Sequence, residues 1–99
     1  MPIVSYHPAA DAEVTRGAQF YEQHVAGLGA AFLDEVDAAV TLLCTQPEMF
    51  SLRADGTRRC PLKRFPHRLV YRVEQERLRI YALAHPRLRP GHWRSRLEE

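Results

Sequence analysis

Residues 58–94, RRCPLKRFPHRLVYRVEQERLRIYALAHPRLRPGHWR, constrain this chain more than any other stretch. They hold three short apolar segments, at 60–62, 69–73 and 78–85, each flanked or interrupted by arginine. In the second, Leu69, Tyr71 and Val73 share one parity and Val70 and Arg72 take the other. In the third, Leu78, Ile80, Ala82 and Ala84 share a parity, opposed by Arg79, Tyr81, Leu83 and His85. Side chains of a strand alternate between the two faces of its sheet. The pattern therefore predicts an antiparallel sheet with one apolar face and one face carrying Arg72, Arg79, Tyr81 and His85. Glu74-Gln75-Glu76-Arg77 is short enough for a hairpin connection, although it lacks the Gly or Asn that tight primed turns favour.

The segment PIVSY at 2–6 is β-prone and reads as a further strand of that sheet. Pro8 suits the first turn of a helix, and Asp11 and Glu13 complement that end of the helix dipole. A helix is expected over about 8–25, with Val14, Ala18, Tyr21 and Val25 as its buried stripe and Gly17 available for close packing. Gly27-Leu28-Gly29 separates it from a second helix reaching about Cys44, whose core face is Phe32, Val36, Ala39, Val40 and Leu43. So short a link makes an antiparallel helical hairpin, and the apolar sheet face is the one large surface it could cover. Residues 45–57 read as a loop anchored by Phe50 and Leu52, and Phe65-Pro66 as a turn or strand start. The expected class is α+β: an N-terminal strand, a helical hairpin packed on three antiparallel C-terminal strands, and a short tail or helical turn. With 99 residues the chain reads as one domain, 1–99.

Charge is segregated along the chain. Residues 1–52 hold one base against seven acids, a net of −6, and residues 53–99 hold thirteen bases against five acids, a net of +8. Twelve of those thirteen bases are arginine, whose planar fork matches carboxylate and phosphate. An anionic partner, either nucleic acid or an acidic peptide, is one reading; a solvated arginine-rich surface is the other. No apolar run is long enough to span a bilayer, and no signal peptide is visible. Two plain cysteines, Cys44 and Cys60, suit a reducing, cytoplasmic setting.

Motifs with a fixed chemistry are absent: no phosphate-binding Gly-rich loop with a Lys, no HExxH, no nucleophile elbow. The five histidines and two cysteines lack metal-ligand spacing, so neither metal nor cofactor is expected. His85 is the best candidate for chemistry. At a strand end among arginines it could serve as general acid or base towards RNA, with the arginines on the scissile phosphate. The plainer alternative is a His that hydrogen-bonds backbone and stops the strand before Pro86. Trp93, the single Trp, either packs the tail on the sheet or anchors a partner.

The order strand, helical hairpin, loop, three strands and Arg-rich tail, with Leu28-Gly29 opening the second helix, RFP before a strand, A-x-AH ending the last strand and RPGHW after it, resembles the RelE/ParE superfamily of toxins, the ParE-like branch more closely. The resemblance runs from about Ile3 to Arg96. It implies a toxin of a type II toxin–antitoxin pair, used in plasmid stabilization and growth inhibition. It also implies a cognate antitoxin whose flexible, acidic C-terminal region wraps the toxin, and a possible heterotetramer of two toxins with two antitoxins. ParE-like members inhibit DNA gyrase; RelE-like members cleave mRNA, most of them on the ribosome. The ParE-like strings favour a non-hydrolytic gyrase poison, with an endoribonuclease using His85 as the alternative. Arg64, Arg68, Arg72, Arg87, Arg89 and Trp93 are the residues carried over as phosphate or target contacts.

Overall fold

The computed structural model describes residues 2–99, in the order β1 (Ile3–Tyr6), α1 (Pro8–His24), α2 (Leu28–Thr45), β2 (Arg58–Pro61), β3 (Arg68–Glu74) and β4 (Arg77–Ala84), closed by a 3₁₀ turn at Arg94–Glu98. His7 starts α1. Its backbone is extended and its Nδ1 accepts the Ala9 N–H at 3.0 Å, one of the donors that a helix leaves free at its first turn. Pro8 follows at the first helical position, where a missing N–H costs nothing. Val14 is buried, and Ala18 and Tyr21 pack against the core. Val25, expected in that stripe, is the residue after the helix and stands 58% exposed, because the chain there turns to extended backbone ahead of Gly27. On α2, Phe32, Val36 and Leu43 are buried, with Ala39 and Val40 at the margin. Gly17 is what lets the hairpin close: a Cβ there would lie 2.9 Å from the edge of the Phe32 ring.

The sheet has four strands in the order β1-β4-β3-β2. β1 joins it as expected, but parallel to β4, with Ile3 beside Arg77 and Tyr6 beside Ile80; the other two pairings are antiparallel. A parallel neighbour needs a long crossover, and the helical hairpin supplies it. β3 and β4 form the anticipated hairpin around Gln75 and Glu76, which sit at φ 49° and 65°. Two left-handed residues in succession are the geometry of a type I′ turn, achieved here without Gly or Asn.

One expectation about the faces fails at a β-bulge. Tyr71 pairs with Ile80 and Val70 with Ala82, so Tyr81 is an extra residue on β4. Leu78 and Ile80 face the helices, as the alternation predicts. Past the bulge the phase inverts: Leu83 joins the helix-side core, while Ala82 and Ala84 join Val70 on the opposite face. Consequently His85 does not share a face with Arg72, Arg79 and Tyr81. Its ring lies 4.9 Å from that of His67, which stacks in turn against Phe32 and Tyr21 of the helix-side core.

The outer face is not left bare. Trp93, 5% exposed, covers Val70, Ala82 and Ala84, with Leu97 beside it, so the tail packs on the sheet. The 46–57 loop is tied down at three points. The Tyr71 hydroxyl donates to the Pro47 carbonyl at 3.1 Å, Arg58 to that of Phe50 at 2.7 Å, and Arg72 to that of Asp55 at 2.6 Å. Phe50 anchors this loop as expected; Leu52 does not and stands 63% exposed, since these backbone contacts hold the loop without it. Phe65-Pro66 lies in the turn between β2 and β3, with Phe65 buried against Phe32 and Tyr21.

Candidate functional site

The outer face of the sheet carries the arginines, and register assigns them. Arg59 pairs with Val70 and Arg68 with Ala84, and directly paired residues share a face. Arg59 and Arg68 therefore flank the Val70–Ala82–Ala84 patch that Trp93 covers. The Arg59 guanidinium lies over the Trp93 ring, 4.9 Å from its centroid, within the range of a cation–π contact. Further along, Arg72 and Arg79 bracket the Tyr81 ring at 5.8 and 5.6 Å.

These arginines divide by what already holds them. Arg72 donates to the carbonyls of Asp55 and Leu97, and Arg79 to the Ser5 hydroxyl at 3.2 Å. Both bolt loop, tail and β1 to the sheet. Arg59 is different: it lies among Arg53, Arg68 and Arg94, and burial together with those charges lowers its pKa from the ordinary value, against the opposing pull of Asp55. Arg53, Arg59 and Arg94 line one open cleft with Asp55; Arg59, Arg68, His85, Arg89 and Trp93 line a smaller cavity next to it.

His85 stands at the end of β4 between this cavity and a second, more apolar cleft lined by Phe20, Tyr21, His67, Leu83 and Arg87. Its Nδ1 accepts the Arg87 N–H at 3.0 Å and its carbonyl accepts the Leu88 N–H at 3.0 Å. The imidazole thus closes the turn over Pro86. Burial, and then the neighbouring His85, push the His67 pKa down to about 4, so His67 is a neutral ring at neutral pH.

Of the residues singled out in the sequence, the structure gathers Arg68, His85, Arg89 and Trp93 around one cavity. Arg72 lies further along the same face, committed to backbone carbonyls. Arg87 edges the apolar cleft instead. Arg64, in the turn between β2 and β3, is held by α2: its amide N–H and Nε donate to Glu35 at 3.0 and 3.3 Å. The sequence reading omitted Arg53, Arg59 and Arg94. A signal for Arg59 existed, since a strand that buries Cys60 must turn both neighbours to the other face; those for Arg53 and Arg94 depend on how loop and tail fold over the sheet.

A family model described as the ParE toxin of type II toxin-antitoxin system, parDE, matches residues 4–88. No curated protein matches the chain. Among solved structures, one described as the chromosomal ParDE TA system from P. aeruginosa superposes with a TM-score of 0.74 at 16% identity, covering 86% of this chain and 96% of that one. At that identity the likeness is one of fold. The family match runs from β1 through both helices to the turn after β4; residues 1–3 and the tail that carries Arg89, Trp93 and Arg96 lie outside it. This chain belongs to the family of ParE toxins of type II toxin–antitoxin systems.

Proposed function

We propose that this toxin arrests growth in the cytoplasm by binding an essential target, DNA gyrase being favoured, and that a cognate antitoxin silences it through a flexible, acidic C-terminal segment, in a heterotetramer of two toxins and two antitoxins. Membership of the ParE family supports the gyrase target, and the net +8 of residues 53–99 supports an acidic partner. The relative from P. aeruginosa is itself described as a ParDE system, which supports the pairing with an antitoxin. The observation that carries the non-hydrolytic reading is the use made of His85. Its Nδ1 is spent on the Arg87 amide and its ring on packing against His67, which makes it a turn-forming residue. Arg87 and Arg89 stand exposed on the turn beyond it, available to a target.

A second reading, an endoribonuclease with His85 as general acid or base, draws on the cavity that His85 shares with Arg59, Arg68 and Arg89. Induced expression of the native chain and of His85→Ala separates the two, with total RNA and plasmid supercoiling read from the same cultures. The gyrase reading expects arrest, altered supercoiling and intact RNA from both chains, and weaker arrest from Arg87→Gln or Arg89→Gln. Cleaved RNA together with rescue by His85→Ala would overturn it.

A further inference from the structure

Two donors on the outer face, Nε of Arg59 and Nε1 of Trp93, are buried with no hydrogen-bond partner among the described residues. Both groups only donate, and buried donors are almost always paired. Both residues line the same small cavity, together with His92, whose Nδ1 is likewise buried and unpartnered while its Nε2 meets Glu13 at 3.2 Å. Arg68, His85 and Arg89 complete the polar lining, and no carboxylate borders this cavity among the described residues. Three guanidinium groups and an indole N–H around one space complement an oxyanion.

We propose that this cavity is a phosphate site that takes a phosphodiester of a nucleic-acid backbone, read without regard to sequence. The donors come from different directions: Arg59 from β2, Arg68 from β3, Arg89 and Trp93 from the tail. A tetrahedral group uses such a set, whereas a planar carboxylate is satisfied by one guanidinium fork. The positive lining then continues past Arg59 into the cleft of Arg53 and Arg94, where the one carboxylate, Asp55, is engaged by the backbone N–H and hydroxyl of Thr57. A continuing row of cations suits a chain of phosphates. Arg59 already covers a face of Trp93, so the indole serves as a donor here and not as a platform for a base. The site goes beyond the toxin reading, because it holds phosphate whether or not gyrase is the target.

Trp93 is the single Trp of the chain, so its emission reports on this cavity. The intact protein is titrated with inorganic phosphate, with sodium chloride at equal ionic strength, with a labelled DNA duplex of arbitrary sequence and with a hexaglutamate peptide. Phosphate should shift Trp93 emission saturably where chloride does not, and duplex affinity should fall with salt. Arg59→Gln and Arg68→Gln should each weaken duplex binding about tenfold and reduce the salt slope by about one. Arg77→Gln, at the hairpin end of the sheet, should change neither. If Arg59→Gln fails to fold by circular dichroism, the exposed Arg68 and Arg89 carry the same test. Three outcomes overturn the proposal: phosphate indistinguishable from chloride, equal losses from Arg68→Gln and Arg77→Gln, or binding of hexaglutamate alone, which would make the site a carboxylate dock.

Discussion

Arg96 holds Glu13 through both terminal nitrogens, Nη1 to Oε1 at 2.9 Å and Nη2 to Oε2 at 3.0 Å. The pair repairs a gap in the sheet. β1 ends beside Ile80, so β4 has no strand neighbour on that side from Tyr81 onward. Glu13 accepts the Leu83 N–H at 3.0 Å and Arg96 donates to the Tyr81 carbonyl at 3.0 Å, so two side chains take the places of a missing strand. The same contacts fasten the tail that carries Trp93 over the sheet.

Breaking this pair should loosen the tail. Glu13→Gln leaves a guanidinium with 15% of its side chain exposed without its counter-charge, a loss of about 3 kcal/mol, measurable from the urea midpoint. Because the two act as a unit, Glu13→Gln with Arg96→Gln should cost less than the sum of the singles. Burial alone would push the Glu13 carboxyl up, but the Arg96 fork, the Leu83 amide and His92 outweigh it and hold the pKa below the ordinary value of 4.5. The stabilisation is therefore complete above about pH 4.5 and is lost as pH falls through the lowered value.

His67 adds sensitivity at milder acidity. The folded chain keeps it neutral down to about pH 4, while the unfolded chain takes up that proton near 6.5. Unfolding thus gains a proton across that window, and stability should fall as pH drops from about 6.5 towards 4. Melting temperatures of the native chain and His67→Gln across this range should converge at the acid end. Parallel curves would show that His67 does not titrate in this way.

The β3–β4 turn is strained at two side chains. Gln75 and Glu76 both occupy left-handed backbone, which disfavours any residue with a Cβ. Replacing them with Asn-Gly should raise stability by about 1 kcal/mol. Unchanged stability by chemical denaturation would show that the turn relaxes at no cost.

Gly29 sits where α2 packs directly on the backbone of α1. A Cβ there would lie 2.6 Å from the Ala18 carbonyl oxygen and 2.9 Å from Cβ of Glu22, whose carboxylate also accepts the Gly29 N–H. Backbone cannot give way as a side-chain tip can, so Gly29→Ala should cost about 2–3 kcal/mol by overpacking. Gly27→Ala, at φ 86° with open space around it, should cost less, since only local backbone strain opposes it.

The sequence by itself determined the elements of this protein and their order. Spacings of three and four placed Val14, Phe32, Val36 and Leu43 on buried faces, and Ile3–Tyr6 read as a strand from its β-branched residues. Tertiary structure decided the phase of β4 and, with it, the composition of the site. Ile80, Tyr81, Ala82, Leu83 and Ala84 are all apolar, because the helical hairpin covers one side of the sheet and Trp93 the other. Alternation carries no phase where both faces are buried. At the Tyr81 bulge, the edge of β4 that β1 leaves open is taken up by Glu13 and Arg96, contacts 70 and 15 residues away along the chain. That one extra residue separates His85 from Arg72 and Arg79 and leaves it beside His67. The Arg59–Trp93 stack likewise joins an edge strand to the tail, and only folding of the whole chain brings them together.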